Sequence, residues 1–104
     1  MIKVSVLYPR TAGGRFDHDY YRDKHMPLLK QRMGAHCRSY AIDRGIGGGA
    51  AGTEPPYVAM CHIYCDSEAA FLEGFGPHQQ EILADVPHYT DIQPVVQISE
   101  VVVG

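Results

Sequence analysis

From Ile2 to Tyr8 the chain alternates, with Ile2, Val4, Val6 and Tyr8 on one side and Lys3, Ser5 and Leu7 on the other, until Pro9 stops the pattern. A period of two marks a strand. Beyond the turn that follows, the spacing becomes helical. Asp17 stands where an N-cap belongs, and Phe16 before it is placed to form a hydrophobic staple with Tyr21. The spacing predicts a helix to about Met33, with Gly34 as its stop. Strand patterns return at 37–45 and 56–65, joined by a Gly-rich segment, and these predict a hairpin. Residues 66–75, opening on Asp66 or Ser67, read as a second helix, which Gly74, Gly76 and Pro77 interrupt before one or two further helical turns. Residues 94–103 read as the last strand. The order βαββαβ is the split βαβ, or ferredoxin-like, arrangement of the α+β class: a four-stranded antiparallel sheet with both helices on one face.

That arrangement leaves the other face of the sheet bare. The strand at 56–65 carries Tyr57, Ala59, Cys61, Ile63 and Cys65 on one side and Val58, Met60, His62 and Tyr64 on the other, with no Lys, Arg, Asp or Glu on either. The last strand is also sparing in charge. A face that water covers would alternate more sharply, so a second copy is expected to cover it, giving a homodimer through the sheet faces.

Composition narrows the setting. At 104 residues the chain is one domain, 1–104, with a thin core: chains of this size bury only about 60–70% of the surface they expose when unfolded. The net charge of -3 lacks the basic footprint of a nucleic-acid binder. No apolar run approaches the roughly 20 residues that cross a bilayer, so no membrane role is expected. The odd set Cys37, Cys61 and Cys65, and an opening that runs straight into a strand without a leader pattern, point to a reduced, cytoplasmic protein.

Four stretches carry a further signal: "VLYP", "GGRFDHDYYRDKHMPLL", "FLEGFG" and "DVPHYTDIQPVVQISEV". Together they span most of the chain and resemble the EthD family, named for ethyl tert-butyl ether degradation. The run Phe-Asp-x-Asp-Tyr-Tyr-x-x-x-His-x-Pro-Leu is the most specific part. The resemblance implies a dimeric α+β barrel, two ferredoxin-like protomers joined sheet to sheet. The wider superfamily holds cofactor-independent monooxygenases, muconolactone-type isomerases, polyketide ring-forming proteins and haem-dependent enzymes, so the fold alone does not choose a reaction. His88 stands where the family pattern more usually has Asn, and no family role is carried to it.

Among candidate groups His25 comes first. On a helix it shares a side with Tyr21 and with Leu28 or Leu29, so its imidazole falls on or beside the stripe that faces the sheet. Pro27 cannot donate to the Asp23 carbonyl and should loosen the helix around 23–27. His25 then either exchanges a proton with a bound molecule near neutral pH, or only satisfies the loosened backbone or a neighbouring carboxylate. Tyr8, Tyr21, His62, Phe71 and Phe75 are the candidate substrate-binding residues around it, aromatic walls with polar handles. His62 has an alternative role as a cross-strand or interface hydrogen bond.

Asp17 and Asp19 fit a helix cap and first turn better than an acid pair. His36-Cys37 and Cys61-His62-x-x-Cys65 lack the spacing of a metal set, so no metal and no cofactor is expected, with a single-histidine haem ligand left open by superfamily analogy. Gly47, Gly49 and Gly52 spell G-x-G-x-x-G, but "TEPP" follows where a nucleotide fingerprint requires a helix. Two functions remain. One is a cofactor-independent enzyme, of isomerase, dehydratase or oxygenase type, acting on a hydrophobic or aromatic oxygenated small molecule. The other is a non-catalytic dimeric binding or accessory protein of an oxidative degradation pathway.

Overall fold

Alternation along the strands decides which side chains meet the helices. The computed structural model describes residues 1–104. Strands β1 (Ile2–Pro9), β2 (Ser39–Arg44), β3 (Tyr57–Cys65) and β4 (Val95–Glu100) form one antiparallel sheet in the order β2-β3-β1-β4. The register pairs Val4 with Ile63, Val6 with Cys61 and Tyr8 with Ala59, which sets these residues on one face. Ser5 pairs with His62 and Leu7 with Met60 on the other.

Four segments make the first helical arm: α1 (His18–Tyr20), a π-helical turn (Tyr21–His25), α2 (Met26–Met33) and a 3-10 turn (Gly34–His36). The Asp17 carboxylate accepts the Tyr20 N–H at 3.0 Å, as a cap should. The Phe16 and Tyr21 rings meet edge to face at 5.1 Å, which completes the expected staple. Gly34 ends the helix at φ 59, a conformation that costs glycine little. The loosening expected at 23–27 is found as the π turn, two residues earlier. Met26 N–H reaches back to the Tyr21 carbonyl, five residues away, and Pro27 has no N–H with which to carry that wide register further.

The second arm is α3 (Glu68–Phe75), a 3-10 turn (Gly76–His78), α4 (Gln79–Ala84) and a second 3-10 turn (Val86–His88). Ser67 is the cap of α3, accepting the Ala70 N–H at 3.0 Å, while Asp66 makes a bidentate pair with Arg38 instead. Gly74 permits a close crossing, because a Cβ there would lie 2.5 Å from Cβ of His36. Residues 45–56 between β2 and β3 hold no helix, in keeping with a loop. The last strand stops at Glu100 rather than 103, since its final partner is Ile2 and β1 has no more residues to pair.

The core lies between the helices and one sheet face. Tyr21, Met26, Leu29 and Met33 pack with Val4, Tyr8, Cys61, Ile63, Ile82 and Tyr89, each 3% exposed or less. The opposite face carries Leu7, Met60 and Tyr64 half-buried and Val95 50% exposed. No helix is long and apolar enough to cross a membrane.

Candidate functional site

Between the helices and the sheet lies an apolar cavity of about 260 Å³. β1 supplies Tyr8 and β3 supplies Cys61, the π turn supplies Tyr21 and His25, and α3 supplies Phe71 and Phe75. Of the residues expected around His25, Tyr8, Tyr21, Phe71 and Phe75 therefore line one space with it. The two phenylalanine rings stack at 5.1 Å to form part of its wall. His62 does not belong to the cavity. Strand alternation turns it away from its neighbours Cys61 and Ile63, onto the bare face. There its Nδ1 is hydrogen-bonded to Ser5 Oγ at 2.8 Å and its Nε2 lies 3.2 Å from Asp43, the cross-strand role.

His25 is held by a residue sixty positions away. Its Nδ1 donates to Asp85 Oδ2 at 3.0 Å, and the other carboxylate oxygen accepts the Tyr20 hydroxyl at 2.7 Å. The freed helix carbonyl plays no part in this. The imidazole is 5% exposed, stacks on Tyr21 at 5.6 Å and rests against Tyr89 at 4.5 Å between ring centroids. Nδ1 is committed to Asp85, so the basic lone pair is on Nε2, which has no partner within the chain. No fully buried side-chain nitrogen or oxygen is left unpaired, so Nε2 keeps some exposure on a ring that lines the cavity.

The opposing segment is stitched down to receive this pair. Arg15 N–H donates to Asp91 at 2.8 Å, its guanidinium donates to the Pro87 carbonyl at 2.7 Å, and Thr90 Oγ1 donates to the Arg15 carbonyl at 2.6 Å. Asp17 N–H reaches the Tyr89 carbonyl at 2.7 Å. These bonds fix the stretch after α4 against the start of α1, and so carry Asp85 and Tyr89 to His25. Tyr89 and Tyr8 meet hydroxyl to hydroxyl at 2.6 Å. His88 lies outside this group, stacked on Tyr20 at 5.8 Å.

Electrostatics divide the roles. Burial lowers the His25 pKa below its ordinary 6.5, and the Asp85 carboxylate resists that shift. The imidazole is therefore neutral at neutral pH. Burial raises Asp85, but the hydrogen bonds from Tyr20 and His25 together outweigh it and leave the carboxyl below 3.8, ionised. Burial drives Tyr8, Tyr21 and Tyr89 upward, so all three phenols stay protonated as donors. Burial also raises the Cys61 thiol to about 11, which removes it as a nucleophile.

Asp85 escaped sequence reasoning because its contact with His25 crosses most of the chain. One local signal was present. An acid at the C-cap of α4 opposes the helix dipole, which favours cations there, so it needs another reason to be in that place.

The chain matches the EthD domain model over residues 15–93. An EthD-like protein from Ralstonia eutropha JMP134 is 53% identical to it, with a TM-score of 0.94 over 98% of this chain and 92% of that one. An ethyl tert-butyl ether degradation family protein from Bacillus halodurans C-125 shares 20% identity at a TM-score of 0.71, over 96% and 97% of the two chains. A protein from Thermobifida fusca YX, described as a dimeric ferredoxin-like protein of unknown function, shares 17% identity at a TM-score of 0.53, over 93% and 87%. No curated protein matches the chain.

Proposed function

The chain belongs to the EthD family, and from that premise we propose that it binds a small hydrophobic or aromatic oxygenated molecule in the cavity and moves a proton on it through His25. The observation that carries this reading is the Asp85–His25 pair at 3.0 Å, with Nε2 left as a free base at the edge of an apolar space. The carboxylate fixes the tautomer and offsets the charge that the ring acquires on taking a proton, the division of labour found in His–Asp pairs generally. One base that takes and returns a proton suits isomerisation, dehydration or the deprotonation that precedes a cofactor-independent oxygenation. No bound cofactor enters this scheme. The cavity is a little smaller than the roughly 300–1,000 Å³ of sites for drug-sized ligands, which favours a compact molecule.

The working unit is a homodimer joined through the bare sheet faces. Leu7, Met60 and Tyr64 on that face support it, with the charged Asp43 already paired to His62. The free, buried thiols of Cys37, Cys61 and Cys65 favour a reducing, cytoplasmic setting.

The test is a structure with a small aromatic ketone soaked in, read together with turnover of any substrate found. The expected pose brings a ligand carbon or hydroxyl within about 3 Å of Nε2, and His25→Ala lowers turnover by about 10²- to 10⁴-fold. A ligand that fills the cavity with no turnover, in wild type as in the variant, would instead establish the accessory-protein role.

A further inference from the structure

We propose that the Tyr8–Tyr89 hydroxyl pair is the oxygen-binding pole of this cavity, and that the ligand is an uncharged carbonyl compound with a hydrogen on the carbon next to the carbonyl. The inference rests on the proton-transfer role of His25 and names what that base acts upon.

The hydroxyl pair holds one proton more than it uses. Two phenol hydroxyls 2.6 Å apart carry two protons, and their mutual hydrogen bond uses one, whichever oxygen donates. One proton is left over, and both residues line the cavity. The Tyr21 ring, the remaining phenol of the lining, lies 5.7 Å from that of Tyr8, and even if its hydroxyl joins the pair, three hydroxyls linked by two mutual bonds still leave one proton over. A ligand oxygen thus meets one free donor, already backed by a second hydroxyl that strengthens it.

The pair also lies close to the base. The His25 ring lies 4.5 Å from the Tyr89 ring, so the base and the hydroxyl pair flank the same space. When Nε2 takes the proton from the α-carbon, the C–H electron pair becomes a C=C bond and the carbonyl π pair moves onto oxygen. That oxygen accepts the free phenol proton as a hydrogen bond, and the proton on Nε2 returns to the same or a vinylogous carbon. Nothing is oxidised, reduced or lost. Fixed donors aimed at a developing oxyanion are the strongest general means of stabilising such a step.

The lining is uncharged apart from the titratable His25. It holds no Lys, Arg, Asp or Glu, and so has no partner for a carboxylate or phosphate.

The experiment uses the full chain with acetophenone, ethylbenzene and benzoate as probes. Binding is followed by NMR, and exchange of the acetophenone methyl hydrogens is followed in D2O. Wild type is expected to bind acetophenone and ethylbenzene in the cavity, to bind benzoate at least tenfold more weakly than acetophenone, and to exchange the methyl hydrogens faster than buffer. Replacing both phenols, Tyr8→Phe with Tyr89→Phe, should weaken acetophenone about tenfold and leave ethylbenzene unchanged, as for loss of one hydrogen bond. Either single change leaves one hydroxyl with its proton free, so each should cost much less than the pair. His25→Gln should abolish exchange and keep acetophenone affinity. A double variant that weakens both neutral probes alike, or neither, overturns the hydroxyl pole while the cavity and His25 stand. Benzoate bound as tightly as the ketone overturns the uncharged ligand. Acetophenone bound without exchange overturns the His25 role and with it the carbonyl chemistry, and failure of both neutral probes to enter overturns the cavity itself.

Discussion

Asp85→Asn removes the charge of the carboxylate and keeps its shape, which makes it the sharpest probe of the pair. In wild type one oxygen accepts from Tyr20 at 2.7 Å and the other from His25 Nδ1 at 3.0 Å. An amide oxygen still accepts from Tyr20, but the NH2 group then faces Nδ1 and must donate to it. The imidazole responds by carrying its proton on Nε2, so the cavity meets an N–H where it had met a lone pair. Hydrogen bonds to an ionised group contribute roughly 1.5–3 kcal/mol and neutral ones about 0.5–1.5. The exchange should therefore cost about 1–2 kcal/mol at pH 8. For a domain near 100 residues that is a Tm lower by about 5–15 °C.

The pH dependence follows from the same bond. His25 titrates below 6.5 in the folded chain because burial disfavours its charge, and Asp85 limits that fall. As pH drops below about 6.5 the unfolded chain takes up a proton that the folded chain still refuses. Stability then declines, by at most about 1.4 kcal/mol per pH unit, until the folded pKa is reached. Without the carboxylate the folded pKa moves lower still, so the variant keeps losing stability where wild type has levelled. His18, also lowered by burial, contributes to both proteins and cancels in the comparison. Thermal melts from pH 8 to pH 5 and 15N shifts of the imidazole read the two effects separately. Parallel melts, or a variant whose Nε2 still bears the lone pair, would refute the assigned tautomer and the electrostatic role of Asp85.

Sedimentation at micromolar concentration should give twice the chain mass for wild type and the monomer mass for Met60→Asp, which sets a charge beside Leu7 on the bare face; a monomeric wild type would dispose of the sheet-to-sheet dimer. Purified protein should carry neither stoichiometric metal by elemental analysis nor a haem absorption band, and a zinc or haem whose removal lowers the Tm would reverse that expectation. Gly74→Ala should lower stability by about 1–3 kcal/mol in a denaturant titration, since its Cβ would sit 2.5 Å from His36 Cβ and 3.3 Å from the Met33 methyl carbon; an unchanged midpoint would mean that the helices part without cost.

Local chemistry explains which parts of this architecture were legible in advance. The Asp17 cap, the Phe16–Tyr21 staple, the Gly34 stop and the β3 alternation each involve residues within a few positions of one another, so their spacing encodes them. His25 was legible for the same reason: helical periodicity places it on the buried stripe beside Pro27. Its partner was not, because between His25 and Asp85 the chain crosses the sheet twice, as β2 and β3, and nothing near position 85 records that path except the misfit of an acid at a helix C-cap. Of the two partners left open for the imidazole, the loosened backbone and a neighbouring carboxylate, it is the carboxylate of Asp85 that holds it. His62 had the right side chain on a correctly read strand face, and was set in the cavity only because the covered face had not been distinguished from the bare one.

One sheet serves two purposes. Along β1, Val4, Val6 and Tyr8 turn toward the cavity while Ser5 and Leu7 turn toward the bare face, and a shift of one residue would exchange the two sets. Tyr8 would leave Tyr89, and Ser5 would enter the space between helix and sheet. The register is pinned at both surfaces by side chains that tolerate no such exchange: Tyr8 by the 2.6 Å bond to Tyr89, and Ser5 by the 2.8 Å bond to His62. His62 therefore acts on β1 from the face opposite the cavity. It holds β1 in the alignment that presents the Tyr8 hydroxyl to the cavity, in an antiparallel sheet where backbone bonds alone would accept other alignments.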